Sequence, residues 1–348
     1  MTRNNYNVTI VGATGNAGMS TLQVLAERNF PINNIFAVAS EKSMGKNVSF
    51  GDKTLKIQRL SDVDFSNIDI AIFCAGSGVS RKNAAAVTSV GCVIIDKTSY
   101  FRLAPKVPLI IPEVNIDALQ KGAPLGIVST PNCVAIPLAM TLKALSALAP
   151  VRRIVASTYQ AVSGAGRRAV EELYSQAKVI VSGGNIQPNI FAKQIAFNVI
   201  PAIGDLYKSG ISEEEDKISC EICKILKSNI KVAVTCVRVP VFIGHGMSVA
   251  CEFAKPFSEE KVYEALENVD GIVVVDRKDG SDTFVTPLDA QGDNAVYVSR
   301  IRKDTTVKNG LLYWIVTDNL RKGAALNSVQ IAEAMISIDR QLKRFKKP

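Results

Sequence analysis

Hydrophobic patterning divides the chain into two textures. A largely apolar run of strand length, "YNVTIV", leads into a glycine turn and then a helix-periodic stretch, "NAGMSTLQVLAERN". Near-continuous apolar runs of this length mark strands covered on both faces in a parallel sheet. "NIFAVAS", "DIAIFCAGS" and "GCVIIDKTS" repeat the texture, with helix-like segments such as "SRKNAAAVTSV" between them. Strand and helix in alternation predict an α/β fold, an N-terminal Rossmann-type parallel sheet over residues 1–131.

Beyond it "VRRIVASTYQAVS", "KVAVTCVRVPVFIGHGMSVACEFA", "GIVVVDR", "NAVYVSRIRKD" and "LLYWIVTDNL" are strand-like, several with period-two alternation. "RRAVEELYSQAKVI" and "SEEEDKISCEICKILKS" carry the helical period. They predict a second, α+β domain over residues 132–318 with a mostly antiparallel sheet. After Asp318, "NLRKGAALNSVQIAEAMISIDRQLKRF" predicts one helix to the end of the chain, 319–348, packing back on the first domain.

Charge and composition remove several function classes. The net charge is +9, but Lys and Arg are dispersed, and the one dense run, "RQLKRFKKP", reads as a solvated tail. Few aromatics accompany the cations, so no nucleic-acid surface is expected. An excess of positive charge also suits anionic small-molecule substrates. No apolar run approaches the ~18 residues of a membrane span. The opening apolar run is too short for a secretory signal, so a cytoplasmic location is expected. Seven cysteines, an odd count without disulfide-like spacing, read as reduced thiols. Cys220 and Cys223 form a C-x-x-C, but no second ligand pair exists and the chain has one histidine, so no metal is expected.

Three stretches carry chemistry. Gly12, Gly15 and Gly18 follow the first strand and open a helix, the context in which backbone N–H groups meet a pyrophosphate. At the end of the second strand an NAD site places an acid for the ribose hydroxyl. Here "ASEKS" offers Ser40, Lys42 and Ser43 to a 2′-phosphate, with Glu41 among them, which favours NADP. "STPNCVAIPL" sets Cys133 in a Pro-Asn turn at a helix start, where free N–H groups favour a thiolate. "GHGMSV" holds His245, the one histidine, and Arg238 lies seven residues upstream in what reads as the same extended stretch. A nicotinamide, a thiol and a histidine together suggest covalent acyl chemistry with hydride transfer. A non-catalytic NADP-binding regulator and a thiol hydrolase are the readings from other classes.

"GATGNAG", "FRLAPKVPLIIPEVN", "STPNC", "TYQAVSGAG", "CVRVPV" with "IGH", and "DNLRKGAALN" stand in the order and spacing of the aspartate-β-semialdehyde dehydrogenases, which the chain resembles over nearly its whole length. The resemblance implies NADPH-dependent reductive dephosphorylation of L-aspartyl-4-phosphate to L-aspartate 4-semialdehyde and phosphate, in lysine, diaminopimelate, threonine, methionine and isoleucine biosynthesis, by a homodimer. It implies Cys133 as nucleophile, His245 as the acid/base that takes the thiol proton and later serves the thiohemiacetal, and Gln160 as orienter of the acyl intermediate. Arg238 would pair with the substrate carboxylate and Glu221 with its amino group, while Arg102, Asn132 and Lys224 would hold phosphate. Gly12, Thr14, Gly15, Asn16, Ala17, Ser40, Lys42, Ser43, Ser163, Gly164 and Asn319 would contact the cofactor. Ala17 stands where the family often has Val, and Lys42 where many members have Arg. N-acetyl-γ-glutamyl-phosphate reductases and glyceraldehyde-3-phosphate dehydrogenases share the logic but fit the motif order less well.

Overall fold

The computed structural model describes residues 5–275 and 284–347. It divides into two compact units, Met1–Asn132 with Ala324–Pro348, and Cys133–Gly323.

In the first unit, β1 (Tyr6–Val11), α1 (Asn16–Glu27), β2 (Ile32–Ala39), β3 (Asn47–Phe50), β4 (Lys53–Arg59), β5 (Ile70–Phe73), α2 (Ser77–Ser89), β6 (Val93–Asp96), α3 (Pro112–Gln120) and β7 (Ile127–Ser129) follow one another. They build a seven-stranded sheet in the order β3-β4-β2-β1-β5-β6-β7. All pairings are parallel except the β3–β4 hairpin at one edge. Every residue of β5 and β6 is buried, as strands covered on both faces require. The hairpin and the short β7 escape the hydrophobic pattern: "KTLKIQR" alternates around lysines beside the edge strand β3, and β7 is only three residues long.

In the second unit come α4 (Ala135–Ser146), β8 (Val151–Gln160), α5 (Arg167–Val181), α6 (Glu213–Leu226), β9 (Lys231–Arg238), β10 (His245–Phe253), α7 (Glu259–Glu267), β11 (Ile272–Val274), β12 (Val296–Asp304) and β13 (Gly310–Thr317). The sheet order is β11-β12-β13-β10-β8-β9. Its three central pairings are antiparallel, as expected of a mostly antiparallel sheet, and both edge pairings are parallel, which makes it mixed at its edges. The last two residues of the "GIVVVDR" run, 276 and 277, lie outside the described residues. α6 is specified locally: Glu213 to Asp216 fill its first turn, Ser212 and Glu215 form a capping box, and Lys227 closes it in the left-handed region.

The chain then returns to the first unit as α8 (Leu326–Ile338), which packs on α1 and α3. Asn327 anchors it, with Nδ2 donating to the Ile110 carbonyl and to Thr130 Oγ1. The expected helix to the end of the chain is corrected at both ends. A π-turn, Arg321–Ala325, precedes α8, and the helix stops at Ile338. Asp339 turns extended and caps the Gln341 and Arg344 amides with its carboxylate. Leu342 adopts φ 57°, and Leu342 and Phe345 are buried in the core. Burial of these two apolar side chains outweighs continuation of a helix whose last turns are highly charged. Among the described residues no helix is long and apolar enough to cross a membrane.

Candidate active site

The glycine turn of the first unit is shaped by backbone contact. Gly12 has φ +95°, and a Cβ there would lie 2.7 Å from the Ala75 nitrogen. A Cβ on Gly18 would lie 2.2 Å from the Gly12 carbonyl oxygen, so only glycine lets α1 close onto the turn. Gly15 is the N-cap of α1 and no side chain caps the helix, so the first-turn amides of Asn16 and Ala17 face outward where an anion can bind. Thr14 Oγ1 lies 3.2 Å from Ser43 Oγ, joining the turn to the 3₁₀ segment Glu41–Ser43 after β2. Ser40 and Lys42 in that segment are exposed.

Sequence reasoning missed one cation here. Arg59 pairs in register with Ala39 at the end of β2, and its guanidinium meets the Glu41 carboxylate at 2.7 Å. The acid that blurred the choice of cofactor therefore faces a cation. No sequence signal pointed to Arg59, because the register of β4 against β2 supplies it.

Arg102 and Asn132 also belong to the first unit. Arg102 Nε donates to the Thr130 carbonyl at 3.1 Å and Nη2 to the Lys97 carbonyl at 2.9 Å, at the carboxyl ends of β7 and β6. That edge of an open parallel sheet is where ligands bind. Asn132 is buried at 6% exposure.

In the second unit, three side chains converge at one end of the sheet. Gln160 ends β8 and is paired with Arg238 at the end of β9. His245 begins β10, on the other side of β8, and is paired with Thr317 at the end of β13. Arg238 and His245 are therefore not on one extended stretch. The chain leaves β9, turns through Pro240, and crosses to the opposite flank of β8 before β10 begins. Pro240 has no amide, Val241 N–H closes back on the Val239 carbonyl, and Gly244 takes φ +95°. The glycines flanking His245 make room for protein: a Cβ on Gly244 would meet Pro287 at 2.8 Å, and one on Gly246 the Trp314 ring at 2.5 Å.

Cys133 lies in the turn two residues before α4, whose N-cap is Val134, and Pro137 falls within the first turn. Its Sγ is 3.3 Å from His245 Nε2. His245 is fully buried, and its Nδ1 accepts the Ala161 N–H at 3.0 Å. Burial, reinforced by the Arg238 guanidinium and only partly opposed by the Gly244 backbone, pulls the imidazole pKa down to about 3. Arg238 is 6% exposed and its Nη1 donates to the Ala161 carbonyl at 2.8 Å. Burial lowers its pKa, opposed by Cys133, Glu214 and Cys236. Gly164 and Gly323 leave space at this cluster: a Cβ on Gly164 would lie 3.1 Å from Arg238 Nη1, and one on Gly323 3.1 Å from Cys133 Cβ.

Gln160 is held from both ends of its amide, accepting from Thr158 Oγ1 at 2.9 Å and donating to Glu214 Oε1 at 3.2 Å. Glu214 is a second residue that sequence reasoning missed. It lies seven positions before Glu221 and ten before Lys224, so α6 presents all three on one face. Glu221 is buried, and Lys224 has its pKa lowered by burial and supported by Glu221. Asn319 Nδ2 donates to Ser163 Oγ at 2.9 Å, and its Oδ1 takes the Gly244 N–H at 2.8 Å. Asn319 thus pins the backbone just before His245. On α6, Cys220 is exposed and Cys223 partly buried, and among the described residues no group of side chains is arranged to hold a metal.

A Rossmann-type unit is followed by a mixed-sheet unit carrying a thiol–imidazole pair, and both units match domains of the semialdehyde dehydrogenases. Residues 7–122 match the semialdehyde dehydrogenase NAD-binding domain, and residues 142–322 the semialdehyde dehydrogenase dimerisation domain. The chain belongs to the aspartate-semialdehyde dehydrogenase family. It is 52% identical to the aspartate-semialdehyde dehydrogenase of Rickettsia bellii over 95% of this chain and 98% of that one. It is 43% identical to that of Aquifex aeolicus over the same shares. The crystal structure of Vibrio cholerae aspartate semialdehyde dehydrogenase II complexed with ASA superposes with a TM-score of 0.93 at 41% identity, covering 96% of this chain and 99% of that one.

Proposed function

We propose that the chain catalyses NADPH-dependent reductive dephosphorylation of L-aspartyl-4-phosphate to L-aspartate 4-semialdehyde through an acyl-enzyme on Cys133. The pathway would be the one that feeds lysine, diaminopimelate, threonine, methionine and isoleucine synthesis. The observation that carries this reading is the 3.3 Å contact between Cys133 Sγ and His245 Nε2, beside the buried Arg238. The Cys133 sulfur attacks the acyl carbon and phosphate leaves with the electron pair of the acyl C–O bond, giving a thioester that accepts a hydride where a carboxylate would not. Gln160, fixed by Thr158 and Glu214, orients the acyl group, and His245 is the acid/base that takes the thiol proton and later serves the thiohemiacetal. Arg238 takes the α-carboxylate with its remaining N–H groups, a task suited to a planar fork. Glu221 takes the amino group, while Arg102, Asn132 and Lys224 hold phosphate.

The glycine turn fits a dinucleotide: a Cβ would fill it, and the α1 amides are uncapped. NADPH, when bound, supplies the hydride. Gly12, Thr14, Gly15, Asn16 and Ala17 would hold its pyrophosphate region, and Ser40, Lys42, Ser43 and Arg59 its 2′-phosphate. Ser163, Gly164 and Asn319 would meet the nicotinamide end. We read the protein as a cytoplasmic homodimer. The dimerisation-domain match and exposed Tyr174, Val181, Phe197, Val199 and Leu206 on the second unit support the dimer.

The decisive experiment is the reverse reaction. Aspartate semialdehyde should reduce NADP only when phosphate is present. Phosphate-independent reduction, or preference for N-acetylglutamate semialdehyde, overturns the assignment.

A further inference from the structure

We propose that the Lys97 ammonium, lodged against the first turn of α1, supplies the positive charge that helps the α1 amides hold the cofactor's pyrophosphate. The proposal rests on the reading of the glycine turn as a dinucleotide site and names the charged group beneath it.

Strand register puts Lys97 in line with the turn. Val11 pairs with Phe73 and Phe73 with Asp96, so Gly12, Cys74 and Lys97 stand one position beyond, at the carboxyl ends of three adjacent strands. The backbone stays stitched there: Cys74 N–H donates to the Val11 carbonyl at 2.7 Å and Lys97 N–H to the Phe73 carbonyl at 3.0 Å. From the end of β6 the lysine side chain reaches α1, where Nζ donates to Thr21 Oγ1 at 2.9 Å and to the Ala17 carbonyl at 3.4 Å. Cys74 Sγ lies 3.7 Å from the same Thr21 oxygen. Thr21 spends its own hydroxyl hydrogen on the Ala17 carbonyl at 2.6 Å, so toward Lys97 it can only accept. Ala17 is therefore shared: its carbonyl meets the ammonium, and its amide is one of those that face an anion.

What the ammonium lacks is a carboxylate. Among the described residues none forms an ion pair with Lys97, whose polar partners are a hydroxyl and a carbonyl. The neighbouring acid, Asp96, is turned to other groups: it accepts from Ser80 Oγ at 2.9 Å, from the Thr98 N–H at 3.0 Å and from Thr98 Oγ1 at 2.9 Å. The first turn of α1 holds no acid. Arg102, which donates to the Lys97 carbonyl, is a second cation at this edge. Burial lowers the Lys97 pKa and raises that of Cys74, and each of the two opposes the shift of the other. A desolvated cation is normally paired, and this one has three N–H groups for two acceptors. The counter-charge it wants is the anion that the uncapped end of α1 is built to take.

A lysine that only tied β6 to α1 would be indifferent to the ligand. A charge that helps to bind the pyrophosphate is not, because protonation of Lys97 and binding of the cofactor then favour each other by the same factor. If the charge strengthens binding about tenfold, the Lys97 pKa rises by about one pH unit when the cofactor binds. The pyrophosphate is common to NADPH and NADH, so Lys97 serves both alike. That separates it from Lys42 and Arg59, whose proposed target is the 2′-phosphate.

Lys97→Gln keeps a hydrogen-bond donor and removes the charge. Calorimetric titration should show it binding NADPH and NADH about tenfold more weakly than the unaltered protein, by the same factor for each. A loss for NADPH alone would place the charge at the 2′-phosphate, and no loss for either would make the charge idle; both overturn the proposal. Spectra of the unaltered protein labelled with ¹³Cε-lysine give the second arm, the Lys97 signal being the one absent from Lys97→Gln or Lys97→Arg. Its titration should move up by about one pH unit when NADPH saturates the protein. An unmoved titration overturns the proposal even where Lys97→Gln fails to fold. Hydrogen exchange tests the reading beneath: NADPH should protect the amides of residues 12–18. Protection with no response at Lys97 removes only this inference, while unprotected amides remove the dinucleotide site itself.

Discussion

The glycine turn after β1 and the thiol–imidazole cluster of the second unit are built on opposite principles. The turn is contiguous: Gly12 to Gly18 fold back on themselves, and the groups they offer a ligand are backbone amides. The cluster draws side chains from a turn before α4, from the ends of β8 and β9, and from the start of β10. The turn tolerates a change of side chain where no Cβ is forbidden, whereas the cluster depends on the register of three strands. Substitutions should thus have large, chemically specific effects in the cluster and graded effects at the cofactor turn.

The largest effect is expected at Cys133. Cys133→Ser should leave thermal unfolding and cofactor binding nearly unchanged while turnover falls at least about a thousandfold, the scale of losing a nucleophile. Alkylation that abolishes activity while labelling a different cysteine, with Cys133 spared, would refute the assignment. Next, Arg238→Lys should cut kcat/KM for the semialdehyde by about a hundredfold, because a point charge does not reproduce the fork and a misplaced acyl carbon misses the sulfur. Arg102→Ala should instead raise the KM for phosphate in the reverse reaction. If the two defects appear exchanged, so are the two roles.

A smaller change is expected at the turn. Lys42→Ala and Arg59→Ala should each shrink the preference for NADPH over NADH by about tenfold, the worth of one charged hydrogen bond. Equal efficiency with both cofactors in the unaltered protein would end the 2′-phosphate role of this segment.

Two stability measurements sharpen the contrast. Asn319→Ala removes the acceptor of the buried Gly244 amide, so it should destabilise the fold by about 1–3 kcal/mol in denaturant melts. A cost near zero would mean that Asn319 does not pin the His245 loop. The last concerns pH. His245 is neutral in the fold with a pKa of about 3, while an unfolded histidine titrates near pH 6.5. Below pH 6.5 the unfolded chain binds a proton that the fold refuses. The stability it contributes is therefore complete above that pH and is lost as pH falls toward 3, with a slope of up to about 1.4 kcal/mol per unit. The wild type should lose stability more steeply than His245→Gln between pH 6.5 and 4; parallel curves would contradict the buried neutral ring.

Much of this was readable from residue order, because its causes are local. The parallel strands announce themselves by near-continuous apolar runs, and α6 by its acidic first turn and capping box. The glycine turn follows from the need for a backbone without Cβ atoms at Gly12 and Gly18. The family emerged from the order of six short motifs, each weak alone. Cys133 was conspicuous because a thiol beside a Pro-Asn turn has no packing reason to be there, and His245 because no other histidine exists.

Long-range register decided the rest. "CVRVPVFIGH" reads as one extended stretch, and nothing within it says that β8 lies between its two halves. That insertion brings Gln160, Arg238 and His245 to one end of the sheet. The same register brought Arg59 beside the end of β2 and Glu214 to Gln160, and neither residue has a neighbour in sequence to betray it. The end of the final helix was set by burial of Leu342 and Phe345, a tertiary contact stronger than local propensity. The His245 ring is met by a backbone amide 84 positions away, at the end of β8. Residue types determined which chemistry the chain can do; only the pairing of its strands decided which atoms face one another, because a hydrogen bond is made at 3 Å and sequence order carries no information at that distance.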